Sequence, residues 1–252
     1  MYRSGFDPNA LPTVFERMQR SHNDIPRLLL THPVTSDRIA EAKNRIAQYP
    51  AKKIRDLNTF HLVKAQMQAL NIVNLLNAIK FFETQIKISK SKNLTALQYG
   101  YTLALYKNLQ FNEATKVITN LQQEYPQEVL FQMLRAELAS ANKNTDIALG
   151  ILKTASTNHP NYYPVIIQHG QTLIKAKLSQ EACDFIRTKV RKQPDDPGLQ
   201  RLLAEAYAKN HQLVDAYQAK ARAYELEGYN RQALILLQQA LAASQGERSE
   251  GE

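Results

Sequence analysis

Apolar residues recur at helical spacing along most of the chain, and in its second half the spacing itself repeats. Residues 60–70 and 72–88 carry apolar side chains at intervals of three and four, which predicts two helices. Farther along, proline recurs every 34 residues, at Pro126, Pro160 and Pro194. Alanine keeps the same interval, at Ala114, Ala148, Ala182 and Ala216. The pattern predicts a row of equivalent helical units.

A repeat of this length is typical of the tetratricopeptide repeat, in which two antiparallel helices form a unit and successive units stack into a superhelix. If the proline marks position 32, the units begin at Thr95, Val129, Tyr163 and Pro197. Position 8, where helices cross closely, is then Thr102, Ala136, Gly170 and Ala204. We expect an all-α superhelix of about four to five helix pairs plus a capping helix over residues 95–244, followed by a disordered tail at 245–252.

Residues 51–94 are interpreted as a basic linker and a degenerate first repeat, since Ala78 and Phe82 resemble positions 20 and 24 of the later units. Between Lys52 and Lys92, eight basic residues stand against two acidic ones, so this stretch carries +6 of the net charge of +9. We interpret it as a solvated face of long side chains, with steering of an acidic partner or an anionic membrane surface as the alternative. No nucleic-acid-binding motif is present, so we expect no nucleic acid partner.

The concave side of such an array usually binds protein, and it is lined by the first helix of each unit. At the lining positions the sequence places Tyr99, Leu103, Tyr106, Lys107, Met133, Glu137, Ile167, Gln171, Lys175, Arg201, Glu205 and Lys209. The basic members, beside aromatic residues, would hold an extended acidic or C-terminal segment. The alternative is that these lysines only complement the negative ends of their own helices.

The first fifty residues do not follow the repeat. They contain Arg3-Ser4-Gly5-Phe6-Asp7-Pro8, then Thr31-His32-Pro33, then Arg38-Ile39, before a helix and the basic linker. This order, followed by tetratricopeptide units, resembles bacterial periplasmic zinc metallopeptidases of the BepA type, which are associated with quality control of outer-membrane β-barrel assembly. The resemblance implies that residues 1–50 are the C-terminal remnant of a metallopeptidase domain.

The resemblance also sets expectations for chemistry. Zinc peptidases of this kind need an H-E-x-x-H motif on a helix, and none of the six histidines here is followed by glutamate. We therefore expect no peptidase activity and no cofactor in this chain, and zinc only in its full-length parent. By resemblance, His32 is a candidate zinc ligand in that parent, and Arg38 faces the same cleft.

The preferred interpretation is a partner-docking domain of a periplasmic protease, whose partners are barrel-assembly components or unfolded barrel proteins. We expect no transmembrane segment, because no apolar run is long enough to span a bilayer. A standalone tetratricopeptide adaptor without a protease parent is the alternative. An enzyme of unrecognised chemistry is disfavoured, because paired carboxylates, a nucleophile–base set and a phosphate loop are all missing from the sequence.

Overall fold

The computed structural model describes residues 7–21, 36–49, 58–89 and 93–249, and its regular structure there is α-helical throughout. The helices are α1 (Ala10–Ser21), α2 (Ser36–Ala47), α3 (Asn58–Asn71), α4 (Leu75–Ile88), α5 (Leu94–Lys107), α6 (Phe111–Glu124), α7 (Val129–Ala141), α8 (Thr145–Asn158), α9 (Tyr163–Lys175), α10 (Ser179–Val190), α11 (Pro197–Lys209), α12 (Leu213–Leu226) and α13 (Asn230–Ser249). The all-α prediction is confirmed.

The chain divides into two compact units, Met1–Asn58 and Thr59–Glu252. In the first unit, α1 packs on α2 and Ile39 is buried. Lys43 Nζ lies 2.7 Å from Glu16 Oε1. The guanidinium carbon of Arg38 lies 5.6 Å from the centroid of the Phe15 ring, which is the range of a cation–π contact. His32 lies outside the described residues, and the predicted domain boundaries stay predictions.

The second unit contains the repeats, and four helix pairs begin within one residue of the predicted starts. These pairs are α5–α6, α7–α8, α9–α10 and α11–α12. Each helix packs on the helices before and after it in the chain. The repeated alanines Ala114, Ala148 and Ala182 are 0% exposed and Ala216 is 7% exposed, as expected of residues at close helix crossings.

The turn inside each pair also repeats, although the sequence does not announce it. Leu109, Lys143, Lys177 and His211 have positive φ values of 61–62° and lie 34 residues apart. The backbone N–H of each donates to a carbonyl three residues earlier, at 3.0–3.3 Å. An L-residue in the left-handed region costs roughly 1–2 kcal/mol, so the packing of the two helices must impose this turn.

The carbonyl of each repeat proline receives a donor from a helix packed nearby. Gln132 Nε2 donates to Pro126 O at 2.7 Å, and Gln200 Nε2 donates to Pro194 O at 2.9 Å. At the remaining proline, Pro160, the donor is Lys189 Nζ at 3.0 Å. These bonds fix the turn between units, since proline ends the second helix and leaves carbonyls that need partners.

The C-terminal end of the array differs from its interior. Ala233 of α13 is followed four residues later by Leu237, just as Ala114, Ala148 and Ala182 are followed by Ile118, Leu152 and Ile186. Those three interior side chains are 0% exposed, whereas Leu237 is 49% exposed because α13 is the last described helix. Helix α13 continues to Ser249, so it enters the segment 245–252 that the sequence predicts to be a tail.

A buried histidine lies between α8, α9 and α10. His169 is 8% exposed, its Nδ1 lies 2.9 Å from Ser156 Oγ, and its ring centroid lies 4.4 Å from that of Phe185. Burial, helped by the positive charges of Lys189 and Lys153, lowers the pKa of His169 to about 4. We interpret it as a neutral core side chain.

Two helical glycines allow a matched test of this packing. A Cβ at Gly100 in α5 would overlap the ring of Phe82, which is 0% exposed, whereas a Cβ at Gly150 in α8 would meet nothing within 4 Å. We expect Gly100→Ala to lower the free energy of unfolding by about 1–3 kcal/mol. Gly150→Ala should raise it by roughly 0.5–1 kcal/mol through helix propensity. Urea unfolding of both variants measures the difference; equal effects would contradict the close α4–α5 contact.

His169 makes stability depend on pH. Its pKa in the folded state lies below the ordinary 6.5, so the native state resists protonation, and stability present above pH 6.5 is lost as the pH falls towards 4. The loss approaches about 1.4 kcal/mol per pH unit for one proton. His169→Gln should flatten the dependence of urea midpoints between pH 7.5 and pH 5, while His211→Asn, at an exposed turn, should leave it unchanged. An unchanged slope in His169→Gln would contradict the assignment.

Candidate functional site: a concave groove

The first helices of three successive units line a concave groove of about 530 Å³. Its walls come from α5, α7 and α9, with one residue from α3. The lining residues are Gln66, Tyr99, Leu103, Leu130, Met133, Leu134, Glu137, Ser140, Tyr163, Pro164, Ile167, Gln168, Gln171, Thr172 and Lys175. The groove lies entirely within the second unit.

The floor of the groove is apolar and aromatic. Tyr99 is 3% exposed, and its ring centroid lies 5.4 Å from that of Phe131. Burial, with the nearby carboxylates of Glu128 and Glu137 adding to it, raises the pKa of Tyr99, so its hydroxyl stays protonated. Met133 and Ile167 are half-buried and so offer apolar surface to a ligand. This floor favours contact with apolar side chains.

A few polar groups are fixed around that floor. The Tyr106 hydroxyl donates to Glu137 Oε1 at 2.8 Å; burial and this bond raise the pKa of Tyr106 to about 12. Gln168 Nε2 donates to Met133 O at 2.9 Å, which ties α9 to α7 and fixes the orientation of the amide. The other amide atom, Gln168 Oε1, is buried and accepts no hydrogen bond from the described residues. It is therefore an acceptor for a donor on a ligand.

The groove brings together seven of the twelve side chains predicted from the sequence. They are Tyr99, Leu103, Met133, Glu137, Ile167, Gln171 and Lys175. Tyr106 acts through its bond to Glu137. Their role as binding residues stays a prediction, but their common surface is a feature of the fold.

The predicted basic stripe is divided among different contacts. Lys107 Nζ donates to the carbonyls of Ala69 and Leu70, at 3.4 and 3.2 Å, and so holds the C-terminal end of α3. Arg201 pairs with Glu227. Glu205 and Lys209 are exposed on α11, away from the groove lining. Lys175 is thus the predicted cation that lies in the groove.

Sequence reasoning missed the contribution of α3. Leu62, Ala65 and Ala69 are buried in one apolar cluster with Tyr99 and Leu103, and Gln66 reaches the groove. Nothing in the repeat pattern predicts a helix at this place, because α3 lies before the regular units. Pro164, by contrast, occupies the same repeat position as Leu130, so the 34-residue interval could have revealed it.

The contact between Lys107 and α3 can be tested at a matched repeat position. We expect Lys107→Met to lower the free energy of unfolding by about 1 kcal/mol, because two charge-assisted bonds are lost. Amide hydrogen exchange, read by mass spectrometry, should become faster across 58–71. Lys209→Met, three units along at the equivalent position, is the control and should change neither quantity. Unchanged protection of α3 in Lys107→Met would contradict the contact.

Comparison with known proteins agrees with this fold. The family model described as "Tetratricopeptide repeat protein 21 ARM repeat" matches residues 53–177. A thermophilic TPR protein of Thermus thermophilus superposes with a TM-score of 0.52 at 21% identity, covering 74% of this chain and 100% of that one. The kinesin light chain TPR-like repeats of Podosopora anserina give a TM-score of 0.57 at 17% identity, with coverage of 69% and 97%. Both likenesses show the fold alone.

The sequence is similar to a curated protease. The Beta-barrel assembly-enhancing protease of Escherichia coli (strain K12) is 27% identical over 244 residues, which is 95% of this chain and 50% of that protein. This chain therefore spans about half the length of the curated relatives that it matches. The resemblance inferred from the N-terminal motifs is confirmed: the chain has a tetratricopeptide-repeat fold and is similar, over nearly its whole length, to the beta-barrel assembly-enhancing proteases.

Proposed function

We propose that this chain is the partner-docking region of a periplasmic zinc metallopeptidase that takes part in outer-membrane β-barrel assembly and quality control. The observation that carries the proposal is the groove across α5, α7 and α9, which combines an apolar floor with an open amide acceptor and a free lysine. The similarity to beta-barrel assembly-enhancing proteases supports the choice of parent. Docking positions a partner protein beside the catalytic domain of that parent.

In this proposal the chain binds and the parent hydrolyses. Among the described residues, no three His, Cys, Asp or Glu side chains come together as a metal site. The residues present do not fit a zinc ion, and zinc remains an expectation for the parent, with His32 as its candidate ligand. None of the helices in the described ranges is long and apolar enough to cross a membrane.

The chemistry of the groove indicates what a partner must offer. Tyr99, Leu103 and Ile167 present surface that is stabilised by burial of apolar side chains, at about 25 cal/mol per Å². Charge contributes less, since the ionised groups in the lining are Glu137 and Lys175. Exposed apolar segments of incompletely folded barrel proteins, or a matching segment of an assembly component, meet this requirement.

Site-specific photo-crosslinking tests the proposal. A benzoylphenylalanine placed at Met133 should crosslink to barrel-assembly components or unfolded barrel proteins in a Gram-negative envelope extract, identified by mass spectrometry. The same group at Thr154, exposed on the second helix α8, is the control and should not. Crosslinks that are equal at both sites would move binding to another face. The lack of any envelope partner would favour the standalone adaptor.

A charge placed in the groove gives a quantitative readout. Met133→Asp combined with Ile167→Asp should weaken capture of the same partner at least tenfold, because an ionised carboxylate resists burial against apolar side chains. Thr154→Asp adds a carboxylate outside the groove and should leave capture unchanged. Circular dichroism must show the same helix content in all variants.

A further inference from the structure

Helix α3 already occupies one end of the concave surface. Leu62, Ala65 and Ala69, spaced i, i+3 and i+7, are at most 3% exposed and belong to the apolar cluster of α5. The groove-facing residues Tyr99 and Leu103 are correspondingly buried, at 3% and 9% exposure. An amphipathic helix of this same chain therefore covers the lining positions of the first unit.

The end of α3 is held by a cation. The last four carbonyls of a helix lack partners within it and carry partial negative charge. Lys107 Nζ supplies donors to two of them, Ala69 O and Leu70 O. An extended segment offers such a cluster of carbonyls nowhere along its length, so this contact is specific to the end of a helix.

The third unit repeats the same arrangement without a helix on it. Ile167, Gln171 and Lys175 lie 68 residues after Tyr99, Leu103 and Lys107, which is two repeats. Ile167 is half-buried, while Gln171 and Lys175 are exposed. Lys175 forms no ion pair with any described residue. Repeat equivalence thus places an unoccupied lysine and apolar surface where the first unit holds α3.

We propose that the groove over α7 and α9 takes an amphipathic α-helix of a partner protein, in the manner in which α5 takes α3. Apolar residues at i, i+3 and i+7 of that helix contact Met133 and Ile167, and its C-terminal carbonyls accept hydrogen bonds from Lys175. The inference rests on the proposed docking function and specifies the ligand as a helix with α3's apolar spacing.

A synthetic peptide with the sequence of residues 58–71, blocked at both ends, is the probe. It is short enough to be largely unfolded alone in water, so helix formation on binding is measurable by nuclear Overhauser effects. Titration into the 252-residue chain should show saturable binding together with these helical signals. Absence of binding would overturn the inference.

Variants of the chain locate the peptide. Ile167→Asp should weaken binding at least tenfold, and Lys175→Ala should weaken it about three- to tenfold. Lys153→Ala, an exposed lysine of α8, is the matched control and should bind as the unaltered chain does. Binding that depends on Lys107 instead of Lys175 would mean that the peptide displaces α3, and would overturn the assignment to the third unit.

Variants of the peptide test its conformation. Gln66→Pro breaks a helix but keeps Leu62, Ala65 and Ala69, so it should reduce binding at least tenfold. Gln66→Ala favours the helix and should bind as well or better. Equal binding of the proline peptide would show an extended ligand and overturn the inference. If crosslinks at Met133 persist while the peptide fails, the docking function stands and only its helical form is lost; if both fail, the docking function falls as well.

Discussion

Close contact between neighbouring units is the constraint on which this structure depends. A helix pair of this size cannot bury its own inner face, so each unit relies on the next. At Gly170 an added Cβ would lie 2.8 Å from Leu202 Cδ2 of the following unit, which shows how little space separates them. This stacking keeps Ile186 fully buried and sets the first helices side by side. The groove is the concave surface that results.

The charge of the chain and the character of its groove are separate. The excess of basic residues lies between residues 52 and 92. In the groove, Tyr99 keeps its proton because burial raises its pKa, and Glu137 already accepts a bond from Tyr106. Association there depends on shape and apolar contact, so we expect it to respond weakly to salt. Any attraction exerted by the basic stretch would instead act at long range and be screened at physiological ionic strength.

The sequence predicts the regular part of the fold well because small residues at fixed intervals report helix crossings directly. Ala114, Ala148 and Ala182 are buried as their spacing requires. The site is less predictable. Lys107 and Lys175 occupy the same repeat position, yet one holds α3 and the other lies open in the groove. The difference is made by a helix outside the repeat pattern, which no periodicity could place. Arg201 is likewise directed by a distant residue, Glu227.

The exposed Leu237 shows that the last helix pair has a neighbour on one side, whereas the interior pairs have neighbours on both. In a linear array, stability is close to a sum of unit terms and interface terms, so a terminal pair is held by fewer interfaces. Opening should then begin at α13 and spread inwards, and the pairs that carry Met133 and Ile167 should open late. The groove lies among units with neighbours on both sides, so fraying of the array's C-terminal end can occur without loss of the binding surface.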